Sequence, residues 1–462
     1  MTKFRSLFTA RNMTEGPPWQ RIAEFAVPML LGNMAQQLYN TVDSIVVGKY
    51  VGDNALAAVG SASPILNLLL ALVVGISTGA GIVISQNFGA QNRQKLSEAI
   101  GNCITLAAIA SVITMVIGTV IARPLLELLD TPASIIDWCA DYLIIYFLGA
   151  AGFTFYNILS GILRGMGDSF SALGFLLLAA ALNIVLDITF VANFGMGVPG
   201  VSLATVLSQG ISAALCFVKL MRMRDVFDLK PAMLKLRKDS ALRIIKIGIP
   251  SGITQAIMSL AMLVVQNLTN SLGETVIAAN VIIMRVDGFA MLPNLSFGQA
   301  MSVYAGQNVG ARKLDRIPTG TKQGLLMGVA FSTTITTIIL LFGHHLFGLF
   351  TDTTALIDLA VRMMRILAVG YICMAVTQIL GGVMRGSGDT VTPMWISFVT
   401  TIGVRVPVAY LLASLTHSEL WPNGHPYSLS SSLMISWALG ALITFIFYRR
   451  GKWRKKAMEA GI

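Results

Sequence analysis

The chain has 462 residues, of which 55% are apolar and only 12% charged, with a formal net charge of +11 and a mean hydropathy of +0.73. Soluble domains carry about 25% charged residues, so a water-soluble fold of this length is excluded for want of polar surface. The composition is that of a polytopic membrane protein. The positive charge is spread through the connecting segments rather than gathered in a patch, which argues against nucleic acid as a partner.

Stretches long enough to cross about 30 Å of hydrocarbon, ~20 residues each, are predicted near 22–47, 55–86, 98–121, 136–163, 170–193, 199–221, 246–271, 277–305, 321–347, 359–384, 391–415 and 428–448. The reading is therefore an all-α bundle of twelve transmembrane helices. Segments on the same side as the N-terminus carry 27 of the 33 Lys and Arg. They include Lys3 and Arg5, the stretch 219–246 and the C-terminal tail. The opposite side holds only Lys49 and Arg123, with acids such as Glu127 and Asp130. The excess of cations on one side places both termini in the cytoplasm, and the chain in a cell's inner (cytoplasmic) membrane.

The sequence repeats itself at an offset of 221 residues. Gly52, Ala57 and Ala58 fall on Gly273, Ala278 and Ala279. Gln86-Asn87 falls on Gln307-Asn308, and Arg164-Gly165-x-Gly167-Asp168 on Arg385-Gly386-x-Gly388-Asp389; one residue of slip brings Pro28 onto Pro250. Six spans per repeat predicts two lobes, 1–221 and 246–462, related by a pseudo-two-fold axis along the membrane normal and joined by a linker at 222–245. That design belongs to secondary transporters that alternate access by moving one lobe on the other.

Ionisable groups inside hydrocarbon cost at least ~2.5–3.5 kcal/mol, so each asks for a function. The helical rise puts Asp43 ~7–8 Å and Asp187 ~9 Å below the outer end of their spans. Thr205 lies at a matching depth, and Asn183 sits one turn before Asp187. Together they suit a proton, or a sodium ion held by hard oxygen ligands. Capping or snorkelling near the interface is the alternative for Asp43. In the second lobe two roles fit Asp287: an intramembrane ion pair with Arg405, or a contact for a cationic ligand. Gln36, Asn40, Asp287 and Met291 are candidates for the substrate cavity. Arg362 and Arg365 are expected to snorkel. Pro28, fifteen residues before Asp43, permits a kink. Cys103, Cys139, Cys216 and Cys373 read as small core residues. No Walker A sequence is present, which excludes direct ATP drive, and no nucleophile or metal-ligand spacing suggests an enzyme.

The runs ending Val42-Asp43-Ser44-Ile45-Val46-Val47-Gly48, Ser85-Gln86-Asn87-Phe88-Gly89-Ala90 and Leu163-Arg164-Gly165-Met166-Gly167-Asp168, with Asn183-x-x-x-Asp187 and Ala204-Thr205, resemble the MATE (multidrug and toxic compound extrusion) transporters. The resemblance implies a twelve-helix, two-lobed antiporter without cofactors that exports amphipathic, often cationic, drugs against H+ or Na+. It implies that Asp43, Asn183, Asp187 and Thr205 form the cation site and that Pro28 is the bend of the first helix. Ser251 to Asn270 lacks the acid expected of the NorM-type branch, which favours coupling through the first lobe. A lipid-linked oligosaccharide flippase of the same superfamily is the alternative; the absence of arginine in the first-lobe helices argues against its anionic cargo. A monomer suffices for this reading.

Overall fold

The computed structural model describes residues 9–128 and 131–459, so the readings on Lys3, Arg5 and Asp130 lie outside the described residues. Hydrocarbon offers the backbone no hydrogen-bond partner, so each apolar stretch must close its bonds internally as a helix. The long helices are α1 (Pro18–Tyr50), α2 (Asp53–Gly89), α3 (Arg93–Leu128), α4 (Ile136–Leu148 and Ala150–Gly165) and α5 (Ser169–Asp187, continued by a π-helix Ile188–Asn193). They are followed by α6 (Gly197–Arg222), α7 (Lys238–Ser271), α8 (Glu274–Gly310), α9 (Arg316–Gly348) and α10 (Thr354–Gly386). Next come α11 (Val391–Ser397, the π-helix Phe398–Arg405, then Val406–Leu415), α12 (Tyr427–Arg450) and a short α13 (Lys452–Glu459). Each of the twelve expected spans coincides with one of α1–α12.

Among the described residues, ten helices are long and apolar enough to cross a membrane, and the two arms of α4, bent by 53°, make an eleventh if taken as one span. The first helix, α1, falls outside that count; Arg21, Glu24, Gln36, Gln37 and Asn40 dilute its apolar run. Exposed faces confirm the solvent: α3 presents Val112, Val116 and Val120, and α9 presents Leu326 and Leu341, all well exposed. A continuous apolar exterior of this kind belongs in lipid.

By internal contacts the chain forms two compact units. Among the described residues, one comprises 9–12 and 27–253, and the other 13–26 and 254–459. The stretch 222–245, expected as a linker between lobes, belongs to the first unit. It is tied down there: Asp228 N donates to Ser97 Oγ (2.9 Å) and Arg237 N to Asn102 Oδ1 (2.9 Å). Arg93 grips Asp228 through Nε and Nη2, at 3.0 Å each, and donates to the Asp225 carbonyl. The Arg93 guanidinium holds the exposed Asp228 carboxyl below the usual carboxylate range. The chain changes unit inside two helices, at Ala26/Val27 in α1 and at Ile253/Thr254 in α7. A proline lies near each crossing, Pro28 and Pro250.

The internal repeat reaches the backbone. Among the described residues, Gln91 and Arg312, 221 residues apart, are the non-glycine residues with positive φ (53° and 58°), each just past the end of α2 or α8. The Arg-Gly-x-Gly-Asp motif is a helix joint. Gly167 and Gly388 take φ of 84° and 91°, which a side chain would resist. The following aspartate then caps the next helix. Asp168 accepts from Ser171 N and Oγ (2.9 and 2.7 Å), and Asp389 from Thr392 N and Oγ1 (3.2 and 2.7 Å). Such caps satisfy backbone donors that the first turn leaves open.

In the first unit, α2 lies against the first half of α7 through glycines. A Cβ at Gly75 would stand 2.5 Å from the Gly252 nitrogen, and one at Gly79 2.5 Å from the Ile244 carbonyl oxygen. Close helix approach through small residues is how membrane helices gain packing energy. Gly79→Val is therefore expected to destabilise the protein by about 1–3 kcal/mol, seen as a lowered melting temperature in detergent. Gly60→Ala, where a Cβ meets nothing within 4 Å, should melt like the parent. Arg93→Ala should free the basic 222–246 stretch, read as faster tryptic cleavage there.

Candidate cation-coupling site

The first unit brings together all four expected groups: Asp43 on α1, Asn183 and Asp187 on α5, and Thr205 on α6. Asp187 ends the α-helical part of α5 and is fully buried; Asn183, one turn earlier, is 1% exposed, and Thr205 on α6 is 4% exposed. Asn183 Nδ2 approaches Thr205 Oγ1 at 3.4 Å, while that hydroxyl donates to the Val201 carbonyl at 3.1 Å. Asp43 and Asp187 face one another within hydrogen-bond range. Among the described residues, no group donates to either oxygen of Asp187, to Asp43 Oδ1 or to Asn183 Oδ1.

This geometry has a direct chemical consequence. Two ionised carboxylates in contact, shielded from water, repel strongly. A proton shared between them turns that contact into an O–H···O bond, and a small cation coordinated by them would relieve it equally. The unpartnered Asn183 oxygen offers a further neutral ligand. The π-helix that begins directly after Asp187 (Ile188–Asn193) widens the helix at this point, as π-bulges frequently do at functional sites.

Sequence reasoning missed the aromatic wall. Tyr39, Tyr142 and Tyr146 all lie within electrostatic reach of Asp43. Tyr142 and Tyr146, one turn apart on α4, have ring centroids 6.3 Å apart. Tyr39 lies one turn before Asp43 on α1, a spacing that could have flagged it. Tyr39, Asn183, Thr205, Ser208 and Gln209 line a small recess beside the acids, and the Gln209 Oε1 atom there is buried without a donor.

Gln36 and Asn40 are exposed on α1, and Met291 is half-buried in the second unit. Pro28 is buried within an otherwise continuous α1. The ion pair weighed for Asp287 and Arg405 does not close. Asp287 Oδ1 accepts the Tyr371 hydroxyl at 2.9 Å, while the Arg405 charge acts on it from beyond bonding distance. Arg362 and Arg365 are exposed near the start of α10.

The chain is a bundle of apolar helices in two repeated halves, with a half-buried Asp43 facing a fully buried Asp187. The MatE family model matches residues 28–189 and again 250–411, so each half of the repeat is one copy, and the chain belongs to the MATE family of transporters. It is 29% identical to the probable multidrug resistance protein YoeA of Bacillus subtilis (strain 168) over 448 residues, covering 95% of both chains. It is 25% identical to the probable multidrug resistance protein NorM of Thermotoga maritima over 444 residues, covering 95% of this chain and 94% of that one. In fold it matches an outward-facing multidrug resistance MATE transporter with a TM-score of 0.89 at 23% identity, over 97% of this chain and 99% of that one.

Dicyclohexylcarbodiimide, which reacts with protonated carboxyls in apolar surroundings, is expected to label Asp43 or Asp187 at neutral pH. Mass spectrometry of the two peptides checks this, and Asp43→Asn with Asp187→Asn should abolish labelling at both.

Proposed function

We propose that this transporter is a proton-coupled multidrug exporter, carrying amphipathic organic cations out of the cell across the cytoplasmic membrane with both termini on the cytoplasmic side. The observation that carries the reading is the Asp43–Asp187 contact. With both acids ionised the site bears two negative charges and favours a cationic substrate nearby. The uptake of one proton removes one of those charges and weakens the hold on the substrate. Proton and drug thereby compete for the same charge, which is what exchange requires. The tyrosines around the acids supply faces suited to an organic cation.

Asp43 rides on α1 and Asp187 on α5, so the charge of the pair decides whether the outer part of α1 is drawn to α5 or pushed from it. Pro28 has no N–H to give the Glu24 carbonyl, which lowers the resistance of α1 to bending there. The crossing between units at Ala26/Val27 lies two residues away. A sodium ion at Asp43, Asn183, Asp187 and Thr205 would use the same oxygens. The proton is the simpler occupant of a facing acid pair, because one proton makes an O–H···O bond between them while sodium needs several further oxygens around it.

Ethidium efflux from vesicles, with pH and sodium gradients imposed separately, tests the reading. An imposed pH gradient is expected to drive efflux and a sodium gradient to leave it unchanged. Drive by sodium alone would replace the coupling ion, and no efflux under either gradient from inserted protein would sink the exporter reading. Asp187→Asn and Asp43→Asn should each lower the driven rate at least about tenfold, equivalent to ~1.4 kcal/mol, while leaving membrane insertion intact. Pro28→Ala should slow turnover with little change in substrate affinity.

A further inference from the structure

The last two helices of the second unit carry cations that the coupling mechanism does not use. Arg449, Arg450, Lys452, Arg454, Lys455 and Lys456 put six positive charges into eight residues, all of them exposed. Among the described residues, Glu459 is the acid that answers them, 3.4 Å from Lys456. The 24 residues of α12 rise ~36 Å, slightly more than the about 30 Å of a hydrocarbon core. Arg449 and Arg450, in its last turn, therefore stand at the level of the lipid headgroups.

The approach to these arginines is apolar and open. Leu439, Leu442, Phe445 and Ile446 are exposed, and their three- and four-residue spacing puts them on one face of α12 with Arg449 and Arg450. The opposite face, with Ser436, Trp437, Gly440 and Thr444, is buried. A stripe of this kind meets lipid tails. A fixed turn joins α13 to it. Gly451 takes a φ of 73°, Trp453 Nε1 donates to the Tyr448 carbonyl at 3.0 Å, and the two rings stack with centroids 5.4 Å apart. Arg450 lies over Phe447 and Arg454 over Trp453, each 5.4 Å from the ring centroid. Aromatic rings at the membrane–water boundary act as anchors, and these also position two guanidinium groups. Trp453 and Ala457 form the buried side of α13, which leaves its cations facing outward.

We propose that the end of α12 and the helix α13 form a binding site for an anionic glycerophospholipid of the adjoining leaflet. Its acyl chains lie along Leu442, Phe445 and Ile446, and its phosphate meets Arg449 and Arg450, whose planar forks suit phosphate oxygens. The cations of α13 add to the field that attracts it. A soluble anion would gain the charges without the apolar stripe, and a zwitterionic lipid the stripe without a net charge. An acidic lipid satisfies both parts. The site is independent of the exported compound and of the coupling ion, and its test involves neither.

Photolabelling of the full chain in phosphatidylcholine nanodiscs tests this. The discs carry a trace of either phosphatidylglycerol or phosphatidylcholine with a diazirine in one acyl chain, and mass spectrometry maps the labelled peptides. Wild type is expected to label at 439–448 about tenfold more with the phosphatidylglycerol probe, equivalent to ~1.4 kcal/mol. The mid-membrane face of α3 at Val116 and Val120 should take both probes equally. Replacing Arg449→Gln and Arg450→Gln together should bring the preference at 439–448 close to unity and leave the α3 labelling unchanged, which also shows that the variant is folded. Arg449→Lys with Arg450→Lys should keep part of it. In wild type, sodium chloride at about 1 M, where the Debye length is ~3 Å, should reduce the preference severalfold. Equal labelling of 439–448 by the two probes in wild type overturns the site. So does a preference that survives both high salt and the paired Gln substitutions. A preference abolished by inorganic phosphate at constant ionic strength overturns the lipid in favour of a soluble anion.

Discussion

The contact between Asp43 and Asp187 is the constraint around which the first unit is arranged. Two carboxylates cannot rest against each other in an apolar bundle unless a proton or cation lies between them. Everything nearby serves to keep that contact dry and to leave its charge uncompensated by the protein. Asp187 is fully buried, Asn183 donates to Thr205 and Thr205 to the Val201 carbonyl rather than to the acids, and three tyrosines lie within electrostatic reach. An arginine in this position would close an ion pair and silence it. None of the arginines in the described residues pairs with either acid.

The second unit repeats the frame but not the chemistry. The helix joints agree in detail, from the positive φ of Gln91 and Arg312 to the aspartate caps at Asp168 and Asp389. The acids of α1 and α5 have no counterparts there; an aspartate, a tyrosine and an arginine on different helices form a separate cluster. A duplicated scaffold tolerates such divergence because the motifs that build the joints lie at helix ends, while the ionisable groups lie mid-helix. The two can change independently.

Motifs that look like chemistry in the sequence divide accordingly. Arg-Gly-x-Gly-Asp is structural: the glycine supplies a turn and the aspartate a cap. Gln86 and Gln307, both fully buried, act as acceptors that hold a chain segment or a side chain in place; Gln307 Oε1 takes the Met13 N–H at 2.8 Å and Gln86 Oε1 the Arg243 guanidinium at 2.6 Å. Asn183-x-x-x-Asp187 belongs to the candidate site, and its spacing of one helical turn is why it was legible.

The sequence by itself determined the spans, the repeat and most members of the candidate site, because each rests on local rules: apolar length, a fixed offset, and helical spacing between polar groups at similar depth. Tertiary structure decided what depends on which helices meet. It brought Asp43 against Asp187 across two helices, gathered three tyrosines around them, and gave the 222–245 stretch to the first unit. It also turned Asp287 to Tyr371 instead of Arg405. Side-chain depth can be counted along a helix, but the face a helix turns to its neighbour is set by packing of the whole unit, as the glycine contacts of Gly75 and Gly79 with α7 illustrate.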